Sequence, residues 1–228
     1  MTDEKKNFYE HEYKLTSYTG DVSRFGVSLP HRLLERGVDI YNKCVLEIGF
    51  NQGEHFPFVK TGWKRYVAYD FQLPRLDEKR NKFFPGVDFV HAPVDNSMPF
   101  ENESFDIITI TCVLHHVVEL EKFLSEIKRI VKPSGVIRIL LPTDPGIAYR
   151  VARTIASLTL NRRSSPELRN LNHAREHVRH FWGIRELLRA HFRESVILWR
   201  GFPFVFNVYD LNLFYIIKIV KIESARKK

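Results

Sequence analysis

The chain has 228 residues, only two cysteines, and no apolar run of the ~18 residues that a membrane-spanning helix requires, which excludes a disulfide-stapled scaffold and a bundle of spanning helices. Its 44% hydrophobic and 27% charged residues are ordinary for a globular protein, and the formal charge of +8 favours an anionic partner such as a sugar phosphate, a nucleotide, nucleic acid or an acidic lipid surface. The stretch Met1 to Asn7 is charged and lacks the apolar segment of a signal peptide, so a cytoplasmic location is expected, with Cys44 and Cys112 as packed, reduced thiols.

Residues 1–42 have little clean periodicity and read as a leader, with a short helix around Arg32–Gly37. Cys44–Phe50 reads as a buried strand, followed by a Gly-containing turn and a helix. Arg65–Asp70 is a second strand, Pro74–Phe84 a charged helix, and Val87–His91 a third strand. Phe105–Val113, rich in Ile and Thr, is the fourth. Leu120, Phe123, Leu124, Ile127, Ile130 and Val131 then recur at helical spacing until Lys132-Pro133-Ser134-Gly135 stops the helix. Val136–Leu141 is the fifth strand. Helices are expected over Ile147–Leu160 and Trp182–Phe192, and late strands over Ser195–Trp199 and Leu211–Ile222. This alternation implies βαβ units on a doubly wound, mostly parallel seven-stranded α/β sheet. One domain spans 43–228, with 143–181 inserted for substrate recognition. Ligands on such sheets bind beyond the carboxyl ends of the strands.

The strongest local signal is Val45-Leu46-Glu47-Ile48-Gly49-Phe50-Asn51-Gln52-Gly53. Gly49 and Gly53 permit close backbone approach to a ligand, and Asn51 tolerates a left-handed backbone better than most residues. Amides of the following helix would meet a carboxylate, and Glu47 would accept from the amino group of the same ligand. A dinucleotide fingerprint needs glycine at 49, 51 and 54. This chain has Asn51 and Glu54, and Glu54 would repel a pyrophosphate. Asp70 stands seventeen positions beyond Gly53, where an acid can accept from both ribose hydroxyls.

Taken in order, Val45-Leu46-Glu47-Ile48-Gly49, Tyr69-Asp70, Met98 to Asp106, Val113-Leu114-His115-His116-Val117 and Ile130 to Gly135 resemble the class I S-adenosylmethionine-dependent methyltransferases, in particular those with a type 11 methyltransferase domain. The resemblance covers roughly Lys43 to Pro142. It implies that Glu47, Gly49 and Gly53 hold the methionine end of S-adenosylmethionine and Asp70 the ribose. It also implies that Asp95 and Asn96 lie by the adenine, and that residues Thr111 to Leu114 line the pocket. Asn51 stands where the family usually has its middle glycine, and Pro133-Ser134-Gly135 where it has Pro-Gly-Gly.

Methyl transfer to a hydroxyl needs in-line orientation and a base. His115 and His116 follow the fourth strand, and His116 is the favoured base, with His177 as an alternative. In one continuous helix His173, His177 and His180 would share a face, as would Arg175 and Arg179. Arg175 and His173 are candidates for an anionic acceptor, and Tyr9, Tyr13 and Tyr18 for a lid. No metal site is expected, because these histidines lack a convincing fourth ligand and the chain lacks a Cys pattern. Arg150, Arg153 and Arg162-Arg163 would allow peripheral contact with an anionic membrane. The expected function is methyl transfer to a hydroxyl of a small anionic molecule, sugar or glycan precursor in polysaccharide biosynthesis. An RNA methyltransferase and a catalytically silent binding subunit are the alternatives, and no appended RNA module is visible.

Overall fold

The structure is a computed structural model and describes residues 21–51, 53–70, 84–91, 97–159, 166–206 and 208–222. Tyr9, Tyr13, Tyr18, Asp95, Asn96, Arg162, Arg163 and all of the expected Pro74–Phe84 helix except Phe84 lie outside these residues.

Among the described residues seven strands form one sheet: β1 (Cys44–Ile48), β2 (Arg65–Asp70), β3 (Val87–His91), β4 (Phe105–Thr111), β5 (Val131–Pro142), β6 (Val196–Phe202) and β7 (Phe214–Val220). Their spatial order is β3-β2-β1-β4-β5-β7-β6. Pairs through β5 are parallel, and β7 runs antiparallel to both β5 and β6. Chain order reverses at β1, so the crevice lies past its carboxyl end, between β1 and β4.

Side chains alternate between the two faces of each strand. Leu46, Ile48, Ile108, Ile110, Ile137 and Ile139 enter the main core. There they meet Phe123, Leu124 and Ile127 of helix α2 (Leu120–Ile130) and further apolar residues of a later helix. Burying each such side chain contributes about 1.5–3 kcal/mol, so the amphipathic period of α2 is sufficient to seat it. The other face carries Val45, Tyr66, Ala68 and Ile107. Helix α1 (Asp21–Glu35) covers part of that face, and its Leu34 packs with Leu140 and Phe214.

Helix α1 is much longer than the short segment expected from periodicity. The expected helix after the glycine turn is instead a single 3-10 turn at Phe56–Phe58. Pro57 lacks an N–H and disfavours α geometry at Phe56, whose ring packs on Trp63, Tyr66 and Phe84. After β5 come α3 (Ile147–Thr159), α4 (Pro166–Glu176) and α5 (Phe181–His191). The expected single His-rich helix breaks at Glu176. Arg179 turns to the carbonyls of Val117 and Val118. His180 is extended at φ −92° and ψ 154° as the N-cap of α5, away from the His173 face. Both cysteines are free; Cys44 is half-buried, and Cys112, at φ +54° just past β4, is exposed as a residue although burial pushes its thiol up to about 12.

Candidate active site

The turn beyond β1 is left-handed at three positions, with φ of +83° at Gly49, +45° at Asn51 and +82° at Gly53. A Cβ on Gly49 would fall 2.3 Å from Val113 Cγ2 and 2.8 Å from the Thr111 carbonyl oxygen, so β4 and the turn can approach this closely only with glycine there. Thr111 Oγ1 donates to the Gly49 carbonyl at 3.0 Å, and the Asn51 amide donates to Asp70 Oδ2 at 2.8 Å. Asn51 therefore adopts the backbone shape a glycine would take, and Asp70 is held at the end of β2 facing the turn. Thr111 acts on the turn through its hydroxyl, whereas Leu114 is fully buried in the main core.

Glu47 is fully buried. Tyr66 donates its hydroxyl to Oε2, while Oε1 has no hydrogen-bond partner among the described residues. Burial pushes this carboxyl up, against the opposing pull of His55, Tyr66 and Arg138. On the same face Arg138 donates to Glu35 Oε1 at 2.5 Å and to Thr109 Oγ1 at 2.6 Å, and His55 Nε2 lies 3.0 Å from Glu35 Oε1. Burial alone would raise Glu35, but the His55 hydrogen bond and the Arg138 charge outweigh it and hold the carboxyl low. Sequence reasoning missed this network. Its one visible signal was Arg138, a lone cation inside an apolar strand.

The second centre lies beyond β4 and β5, adjacent strands of the parallel run. His115 and His116 follow β4, Asp144 follows β5, and His173 and His177 come from the end of α4. The rings of His115 and His116 are 4.0 Å apart between centroids, those of His115 and His177 4.2 Å, and those of His173 and His177 3.8 Å. His116 Nδ1 lies 2.9 Å from the Glu176 carbonyl oxygen. A carbonyl only accepts, so Nδ1 carries the proton and Nε2 is the basic nitrogen of the neutral ring. His177 Nδ1 lies 2.8 Å from Asp144 Oδ2. Burial, with the neighbouring imidazoles adding to it, holds His115 well below the usual histidine range. His173 is held at about 4 by burial and by the charges of His177 and Arg153. Asp144 stays below its usual value although burial opposes this, because of the His177 hydrogen bond and the nearby cations.

The structure thus brings together His115, His116, His173 and His177, and leaves Arg175 and His180 exposed. It adds Asp144 and Glu176. Asp144 stands two positions beyond the last residue of β5, where ligand-facing groups of this topology belong.

These residues fit S-adenosylmethionine: a left-handed turn past β1, an acid at the end of β2 that holds it, and a buried carboxyl oxygen that lacks a donor among the described residues. Residues 46–139 match the family model described as a methyltransferase domain. The chain is 30% identical over 120 residues to the probable phthiotriol/phenolphthiotriol dimycocerosates methyltransferase 2 of Mycobacterium ulcerans, covering 51% of this chain and 46% of that protein. It is 34% identical over 105 residues to the demethylmenaquinone methyltransferase of Clavibacter sepedonicus, covering 45% and 42%. The match therefore spans less than half the length of these relatives. Among solved structures, the Burkholderia thailandensis 1,6-didemethyltoxoflavin-N1-methyltransferase with bound S-adenosylhomocysteine aligns at a TM-score of 0.61 and 17% identity, covering 97% of this chain and 86% of that one. A methyltransferase of Aquifex aeolicus aligns at 0.57 and 20%, covering 88% and 94%. Over residues 46–139 the chain thus matches a methyltransferase domain, and its sheet has the fold of the S-adenosylmethionine-dependent methyltransferase it aligns with.

Proposed function

We propose that this chain is an S-adenosylmethionine-dependent methyltransferase whose acceptor is a hydroxyl of a small anionic molecule. The observation that carries the reading is the Gly49–Gly53 turn held against Asp70 beside a histidine cluster at the same end of the sheet. Glu47, Gly49, Asn51 and Gly53 would bind the methionine end, Asp70 the ribose, and Asp95 and Asn96 the adenine. S-adenosylmethionine, when bound, supplies an electrophilic sulfonium methyl. The chain's part is to align the acceptor oxygen with it and to take the hydroxyl proton at His116 Nε2. His115 backs His116 from the buried side, and Arg153, Arg175 and the lid candidate Tyr18 would meet the anionic part of the acceptor.

A lipophilic acceptor is the second reading. It is favoured by Ile147, Val151 and Ile155, which are half-exposed on one face of α3 together with Arg150. The relatives named for phthiotriol and demethylmenaquinone methylation agree with it. Among the described residues no helix is long and apolar enough to cross a membrane, so such an acceptor would be met at a surface.

The test is transfer of labelled methyl from S-adenosylmethionine to panels of acidic sugars and of quinol or phenolic lipids. The reading expects an O-methyl product with the wild-type protein, and His116→Ala to lower turnover while cofactor affinity persists. Label appearing only on nitrogen or carbon acceptors, or a His116→Ala variant as fast as wild type, would overturn it.

A further inference from the structure

We propose that Asp144, His173 and His177 hold a divalent transition-metal ion of the zinc class, with its open positions turned to the methyl acceptor. The ligand atoms of these three residues lie within 4.8 Å of one another. Asp144 Oδ2 is 2.8 Å from His177 Nδ1 and 3.3 Å from His173 Nε2. A tetrahedral ion with bonds of 2.0–2.2 Å spaces its ligand atoms by about 3.4 Å, close to the Asp144–His173 contact; the His177 Nδ1 proton now shared with Asp144 would leave to solvent as the ion binds, and that pair would open from 2.8 Å.

The contact between Asp144 and His173 is the telling one. His173 Nε2 is buried and close to the carboxylate oxygen, yet it makes no hydrogen bond with it or with any other described residue. A carboxylate and an imidazole nitrogen converging without a shared proton are placed as two ligands of one ion would be. The residues are also of the right kind: two imidazoles and one carboxylate suit zinc, iron, cobalt or nickel, and leave positions for an exogenous ligand. The side chains of His173 and His177 are 20% and 12% exposed, so the cluster lies just beneath the surface. Asp144 supplies the ligand that the spacing of the histidines alone does not.

The ion would act as a Lewis acid on the acceptor hydroxyl, lowering its pKa and fixing its direction, while the proton passes to His116. No electron transfer is involved. Only this assignment of what the ion does rests on the methyltransferase reading; the ion site stands on its own geometry. Arg153 opposes it, since its charge is felt at both Asp144 and His173.

The experiment uses the full, untagged chain stripped with a chelator and titrated with Co²⁺, read by visible absorption, and with Zn²⁺, read by calorimetry. S-adenosylhomocysteine titration in parallel reports the fold and the cofactor site. One equivalent of Co²⁺ with ligand-field bands displaced by Zn²⁺ is expected. Asp144→Asn and His173→Gln should each weaken uptake by more than the ~10–100-fold cost of losing an outer-shell partner, with S-adenosylhomocysteine affinity retained. Arg153→Gln should tighten it. Wild-type protein that takes up neither ion, or variants that bind the ions like wild type, would overturn the proposal. Ion uptake without S-adenosylhomocysteine binding would sink the methyltransferase reading and leave the metal site standing.

Discussion

Arg138 on β5 meets Glu35 on α1 at 2.5 Å with only 4% and 5% of the two side chains exposed. This pair ties α1 to the sheet on the face where Glu47 is buried. Removing Arg138 leaves the Glu35 charge buried with His55 as its remaining partner, so the loss should lie toward the lower end of the about 3–5 kcal/mol of a broken buried pair. Arg138→Met should therefore lower the denaturant midpoint sharply, and adding Glu35→Gln should recover part of the loss. Additive losses in the double variant would show that the two residues do not depend on each other.

Gly49→Ala should damage both fold and site. Its φ of +83° is strained for alanine, and the new Cβ meets backbone and Val113 at 2.3–2.8 Å. A cost of about 1–3 kcal/mol is expected from the backbone term alone, before the clash. Asn51→Gly is the contrasting case: it relieves a left-handed asparagine at φ +45° but gives up the bond to Glu54. Thermal melts of the two variants should move in clearly different degrees, Gly49→Ala falling far more.

Asp70→Ala should weaken S-adenosylmethionine binding by about tenfold or more, since hydrogen bonds to a charged group are worth roughly 1.5–3 kcal/mol. Part of the loss comes through the Asn51 amide, which Asp70 Oδ2 holds in place. Asp70→Asn keeps one acceptor and should bind between wild type and Asp70→Ala in calorimetric titration.

Stability should fall with acid through His31. Burial, then the charge of His55, depress its pKa from 6.5 to about 4. Between those values the unfolded chain binds the proton and the folded chain does not. The contribution is thus complete above about pH 6.5 and is lost as pH falls toward 4, amounting to roughly 3 kcal/mol. His31→Gln should flatten that part of the stability profile. A variant whose unfolding free energy follows wild type point for point would remove His31 as the cause.

The strands were legible because their β-branched residues alternate or cluster between turn residues. Arg65–Asp70 and Val87–His91 appear with the bounds their pattern gives. Asn51 was legible as a left-handed residue from its side-chain chemistry alone. The long α1 was not, because its contribution is made by Glu35 and Leu34 against strands a hundred residues away, which local periodicity does not encode. Equally hidden was the helix that is not there after Gly53, where Pro57 and the aromatic packing of Phe56 override the family pattern. The histidine cluster was half legible. His115, His116, His173 and His177 stood out as residues, but only the fold brings Asp144 between them, and only the break at Glu176 removes His180.

The most direct measurement is calorimetric titration of the full chain with S-adenosylmethionine and S-adenosylhomocysteine, with NAD as control. The account predicts saturable one-site binding of both and none of NAD. A folded protein that binds neither, or that binds NAD instead, would contradict it.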